Sequence, residues 1–170
     1  KFNGTSASIA DIKDVISEIG TFAGADGILL YLDEIQYFNK KQQQSLLEYI
    51  ENGQITLIAS TTENPYFAVF NAVISRSTVF EFKPPESEEI EKAVLRAFTL
   101  LSEQNGVNYK LDDDVIRHIA VSCGGDVRKA VNTVELSTLA GEIYPDFVKI
   151  TMETVSALAQ RSNMKYDRDG

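Results

Sequence analysis

The stretch ILLYLDEIQYFNK, residues 28–40, is an almost unbroken apolar run that stops at two adjacent carboxylates, Asp33 and Glu34. A run of this length, with Gly27 before it and polar residues after it, predicts a strand covered on both faces within a parallel sheet. Carboxylates at the carboxyl end of such a strand face the crevice where open α/β sheets bind ligands. An acid at this place can also simply cap the next segment. The rest of the chain has to decide between the two.

On the amino-terminal side, residues 7–19 carry Ile9, Ile12, Val15, Ile16 and Ile19 at helical spacing, and a glycine-containing segment ends the helix. On the carboxyl side, NKKQQQSLLEYIENG predicts a helix with Leu46, Leu47 and Ile50 on one face, closed by Asn52-Gly53. ITLIAS, from residue 55, reads as a second strand that ends in TTENP, and TVFEF, residues 78–82, reads as a third, stopped by Pro84-Pro85.

Beyond the prolines the pattern turns helical. Residues 87–104 place Ile90, Val94, Leu95, Phe98 and Leu101 on an apolar stripe. Further helices are expected over 112–122, from Asp126 to Gly141, and over 151–160, with Ile116, Ile119, Val131 and Leu136 among their buried residues. The expectation is an α/β unit over residues 1–84, an all-helical unit over 85–160, and a linker over 161–170.

Composition narrows the function classes. The 170 residues carry a net charge of −9, which argues against a broad phosphate-binding surface on this chain. One histidine, His118, and one cysteine, Cys123, leave no disulfide framework and no Cys/His zinc site, and both are read as structural. No apolar run is long enough to span a bilayer, and residues 1–16 have no signal-peptide core, so a soluble protein is expected. The tail DRDG, residues 167–170, has the start of a calcium loop without the ligands that would follow. Tyr37, Phe38, Tyr66, Phe67 and Phe70 cluster around the motif loops, where core, subunit-interface or base-stacking roles are all open.

Four strings in a fixed order carry a family resemblance: ILLYLDE, IASTTEN, NAVISRS and GGDVRKAVN. They resemble, in turn, the Walker B strand, the sensor 1 strand end, the Ser-Arg-Cys arginine-finger box with Ser77 in the Cys position, and the sensor 2 helix start of AAA+ ATPases of the clamp-loader branch. Within that branch, the Phe38-Asn39-Lys40 string, the glutamines after it and Thr61-Thr62-Glu63-Asn64-Pro65 are most similar to the RarA/MgsA family and its Werner-helicase-interacting relatives. The fold this implies is an α/β partial P-loop NTPase sheet followed by an all-α lid.

The resemblance implies ATP and Mg²⁺ as cofactors, with Asp33 holding the ion through water and Glu34 orienting the attacking water. Alternation along a strand would send these two side chains to opposite sides. Thr61 and Thr62 are both sensor 1 candidates, with a turn-forming hydroxyl as the plain alternative. Arg76 is implied as the finger that reaches a neighbouring subunit's ATP, hence a homo-oligomer, and Arg128 as the sensor 2 cation. Asn3 is implied as a restraint on Glu34.

The function implied is a DNA-dependent ATPase at replication forks, acting in recombination and repair with DNA and replication proteins as partners, cytoplasmic and nucleoid-associated if bacterial. A clamp-loader subunit, a branch-migration motor and a non-catalytic scaffold are the alternatives. No GxxxxGK[ST] phosphate loop occurs in the 170 residues. The chain is therefore read as an excised piece that should neither bind ATP tightly nor hydrolyse it alone, the loop being expected upstream of Lys1 and an oligomerisation region beyond residue 170.

Overall fold

The computed structural model describes residues 1–6, 8–17 and 27–166. The chain divides into two units, Lys1–Glu81 and Phe82–Gly170.

The first unit runs β1 (Phe2–Asn3), α1 (Ile9–Ser17), β2 (Ile28–Asp33), a 3₁₀ turn (Ile35–Tyr37), α2 (Lys40–Gln44), α3 (Leu47–Glu51), β3 (Ile55–Ala59), α4 (Pro65–Ala68) and α5 (Asn71–Ile74). Its parallel sheet has the order β1-β2-β3. Asn3 sits opposite Asp33, and Leu32 opposite Ala59. Leu30 and Leu32 face a core built with Ile12, Ile35, Phe38, Leu46, Ile55, Val69 and Val73.

Three expectations need correcting in this unit. Strand β2 is covered on one face only: Leu29 is 65% exposed and Ile58 of β3 is 51% exposed. With a side-chain period of two, these residues lie on the face opposite Leu30 and Leu32, and no described element packs there. The expected helix after Asn39 is two short helices. Asn39 and Gln42 close a reciprocal capping box at the start of α2, and the chain re-enters helix at Leu47. TVFEF forms no strand, and Phe80 and Phe82 are 77% and 95% exposed. A strand needs a ladder partner, and none of the described residues provides one.

The second unit contains α6 (Ser87–Asn105), β4 (Tyr109–Leu111), α7 (Val115–Ser122), α8 (Val127–Ala140), β5 (Glu142–Ile143), β6 (Val148–Ile150) and α9 (Met152–Tyr166). It is helical as expected, with a small sheet in addition, ordered β4-β6-β5. Strands of two or three residues leave too short a pattern to read from sequence. Ile90, Val94, Phe98, Val115, Ile119, Val134, Ile150 and Val155 form the centre of its core.

The expected stripe was partly misplaced. Leu95, Val131 and Leu136 are exposed, because α6 turns Ile90, Val94 and Phe98 inward and α8 buries Ala130, Thr133, Val134 and Ser137 instead. The hydroxyls on that buried face are satisfied internally: Thr133 donates to the Lys129 carbonyl and Ser137 to the Thr133 carbonyl. Cys123 is part of this core, and His118 faces Ser156. The helix expected to end at residue 160 continues to Tyr166, while the DRDG segment lies outside the described residues.

Candidate functional site

Strand β2 delivers Asp33 to its carboxyl end, and there the backbone turns sharply. Glu34 has φ 56° and ψ 56°, a left-handed conformation that a non-glycine residue rarely adopts. Two backbone bonds bracket the acidic pair: the Ser60 N–H donates to the Leu32 carbonyl, and the Ile35 N–H donates to the Ser60 carbonyl. Asp33 and Glu34 therefore bow out between two clamps on one residue. Strand alternation ends at Asp33, so this turn is what presents Glu34.

Gly4 is the reason the turn fits. Its N–H donates to the Asp33 carbonyl at 2.7 Å. A Cβ at Gly4 would lie 2.2 Å from the Glu34 carbonyl oxygen, so any side chain would displace that peptide.

Each carboxylate has its own partners. Asp33 Oδ1 accepts from the Ser60 hydroxyl at 2.6 Å and from the Tyr31 hydroxyl at 3.5 Å, while Lys1 Nζ lies 3.6 Å from Oδ2. The Ser60 bond above all, with Lys1 acting in the same direction, holds the Asp33 carboxyl below the usual carboxylate range. Glu34 Oε2 accepts from the Gln36 amide and from the Thr62 hydroxyl at 3.2 Å.

The expected site residues thus fall into groups. Asp33, Glu34 and Thr62 come together at the carboxyl ends of β2 and β3. Thr61 takes the turn-forming part, its hydroxyl accepting from the Glu63 N–H at 3.1 Å. Asn3 is beside Asp33 in register, but its side-chain oxygen accepts from the Thr5 backbone and hydroxyl and makes no described bond to Glu34. A two-residue turn is closer to Asn3 than any carboxylate, and it captures the acceptor.

Arg76, just beyond α5, pairs with Glu51 at 2.6 Å through Nη2, while Nη1 donates to the Ala72 carbonyl and the Ser75 hydroxyl. Arg128 is exposed in the first turn of α8, in the second unit. That helix begins after Gly124 and Gly125, both with positive φ, and is capped by Asp126, whose side chain accepts from the Lys129 N–H. A Cβ at Gly125 would lie 2.9 Å from Pro84 Cβ.

Sequence reasoning missed Ser60, Gln36 and Gln43. Gln43 is buried, donates to the Phe38 carbonyl at 2.8 Å and accepts from the Phe70 N–H at 2.7 Å. It ties the turn after Glu34 to the start of the helix that precedes Arg76. A glutamine inside a run of three gives no signal of which one is buried. Of the aromatics, Phe38 is core, while Tyr37, Tyr66 and Phe67 are exposed.

Replacing Ser60 with alanine keeps both backbone clamps and removes the main cause of the lowered Asp33 pKa. The Asp33 titration midpoint, followed by carboxyl carbon NMR, should move up towards the ordinary 3.8. The sign for stability follows: a lowered folded-state value stabilises above the unfolded value and is lost as pH falls through the folded one. The wild-type advantage over Ser60→Ala should therefore be largest near neutrality and vanish in strong acid. An unmoved midpoint would show that another donor sets it.

The AAA C-terminal domain family matches residues 104–170, and the Sigma-54 interaction domain family matches residues 13–77. Replication-associated recombination protein A of Bacillus subtilis is 37% identical over 99% of this chain, and that of Escherichia coli 30% identical over 100%. ATPase WRNIP1 of Dictyostelium discoideum is 30% identical over 99% of the chain. The chain spans 41% and 39% of the two bacterial relatives and 21% of the third. Among solved structures, the Thermotoga maritima RuvB Holliday junction branch migration motor superposes with a TM-score of 0.71 over 92% of this chain and 50% of its own, at 20% identity, a likeness of fold. Matched along its whole length by these relatives, the chain belongs to the replication-associated recombination protein A family of AAA+ proteins.

Proposed function

We propose that the full-length protein is a Mg²⁺-dependent, DNA-stimulated ATPase acting in replication-associated recombination and repair, and that the first unit supplies its Walker B, sensor 1 and arginine-finger elements. The observation that carries this reading is the pairing of two differently held carboxylates at the carboxyl end of a parallel strand. Asp33 is kept ionised by the Ser60 hydroxyl and remains partly exposed. Such an anion suits an ion that dehydrates reluctantly and takes one or two carboxylates plus waters and phosphate. Among the described residues no group of three or more acidic, histidine or cysteine side chains gathers at one place, so no all-protein cage competes with this arrangement.

The bound nucleotide would supply the phosphoryl group and share the ion; the rest is done by the protein. Glu34, held by Thr62 and Gln36, presents a carboxylate to orient water and accept its proton. Thr62, bonded to Glu34, is the better placed of the two threonines for sensor 1. Arg76 acts across a homo-oligomer interface, and Arg128, in the second unit, is the sensor 2 candidate. Residues from 161 onward lead towards an oligomerisation region. The phosphate loop is not among these 170 residues, so the test belongs to the full-length protein. DNA comes from the relatives, whose names place them in replication-associated recombination. Among the described residues no helix is long and apolar enough to cross a membrane. A cytoplasmic, nucleoid-associated setting, if the protein is bacterial, is a separate part of this proposal.

The experiment is steady-state ATP hydrolysis by the full-length protein with Mg²⁺, with and without forked DNA. Turnover that requires Mg²⁺ and rises with DNA is expected. ATP bound but never hydrolysed under any DNA condition would favour the scaffold reading.

A further inference from the structure

Gln36 sits in the 3₁₀ turn directly after the acidic pair, and its two ends are in opposite situations. Its amide nitrogen donates to Glu34 Oε2 at 2.5 Å and to Thr62 Oγ1 at 3.4 Å. Thr62 Oγ1 donates in turn to Glu34 Oε2 at 3.2 Å, which closes a three-membered ring of side chains. The proton count is consistent: the amide has two N–H donors, the threonine hydroxyl one donor and free acceptor capacity, and the carboxylate accepts only.

The other end, Gln36 Oε1, is buried and has no hydrogen-bond partner. Rotating the amide by a half turn would not help, because the carbonyl oxygen would then face the Glu34 carboxylate. The orientation is thus chosen by Glu34, and the cost is an unsatisfied buried acceptor. Selection for stability alone would favour an apolar side chain of the same size here.

We propose that Gln36 is a positioning residue for the Glu34 carboxylate, holding it against Thr62 in the orientation from which it addresses water. This rests on the reading of Glu34 as the water-orienting carboxylate. It assigns to Gln36 the restraint that family resemblance implied for Asn3, whose side chain is occupied by Thr5.

The test uses the full-length protein with ATP, Mg²⁺ and DNA, and compares Gln36→Met, Gln36→His and Glu34→Gln in kcat, KM and thermal midpoint. Gln36→Met removes both the donor and the unpaired acceptor. Its melting temperature should match or exceed wild type, while kcat falls up to about 100-fold with KM little changed, as misplacement of a reacting group does. Gln36→His, whose ring N–H can donate to a carboxylate, should recover part of kcat. A wild-type kcat in Gln36→Met alongside an inactive Glu34→Gln would overturn this inference and leave the Glu34 reading intact. A fall in kcat matched by a fall in melting temperature, with no recovery in Gln36→His, would also overturn it by showing a packing role only. Normal turnover in Glu34→Gln would remove the reading on which the inference stands.

Discussion

Glu34→Gln in the full-length protein should bind ATP as wild type does and hydrolyse it about 10²- to 10⁴-fold more slowly, the range typical of losing a positioned general base. The substitution is nearly isosteric, and the left-handed turn that presents residue 34 is set by Gly4 and the Ser60 clamps, which the change leaves alone. One side-chain oxygen remains to accept from Thr62 and Gln36. What disappears is the carboxylate's charge and basicity, so the loss should be confined to kcat. Single-turnover hydrolysis and equilibrium nucleotide binding, measured on the same preparation, separate the two. Unchanged turnover would take Glu34 out of its role.

Arg76→Ala should lose about 10³- to 10⁵-fold in turnover, the contribution usual for an arginine finger. In the isolated chain the guanidinium rests on Glu51, with the two side chains 42% and 47% exposed. A pair this accessible to water is worth roughly 0–1 kcal/mol, so leaving Glu51 for a neighbour's phosphate is cheap. Arg76→Lys should rescue little, since an ammonium lacks the planar fork. The decisive measurement mixes Arg76→Ala with Glu34→Gln subunits. A site shared between subunits regains activity in the mixture, because an intact Glu34 can meet an intact Arg76. A mixture as inactive as its components would show that Arg76 does not act across an interface.

Much of the architecture was legible because it depends on neighbours in sequence. The apolar run from Ile28 makes a strand, Asn52 and Gly53 close the helical stretch before β3, and α8 begins after Asp126. Such features need only local backbone preferences and the chemistry of adjacent side chains. Motif order along the chain likewise carries the family resemblance.

Other features depended on residues far apart, and there the reading from sequence erred or was silent. Whether TVFEF becomes a strand is a question of ladder partners, and the described residues offer none. Whether Leu29 is buried depends on an element packing over that face, not on the hydrophobicity of its own strand. Asn3, Thr61 and Thr62 are equally plausible by residue type. Only the fold brings Thr62 to Glu34 across 28 positions, while adjacent turns claim the other two. Ser60 and Gln36 gain their importance in the same way, because a hydroxyl or an amide has no function until a distant acceptor is brought within about 3 Å of it. The sequence alone thus determined which chemistry the chain carries and in what order. The tertiary structure decided which groups meet, since hydrogen bonding and burial act over a few ångströms in space and are indifferent to separation along the chain.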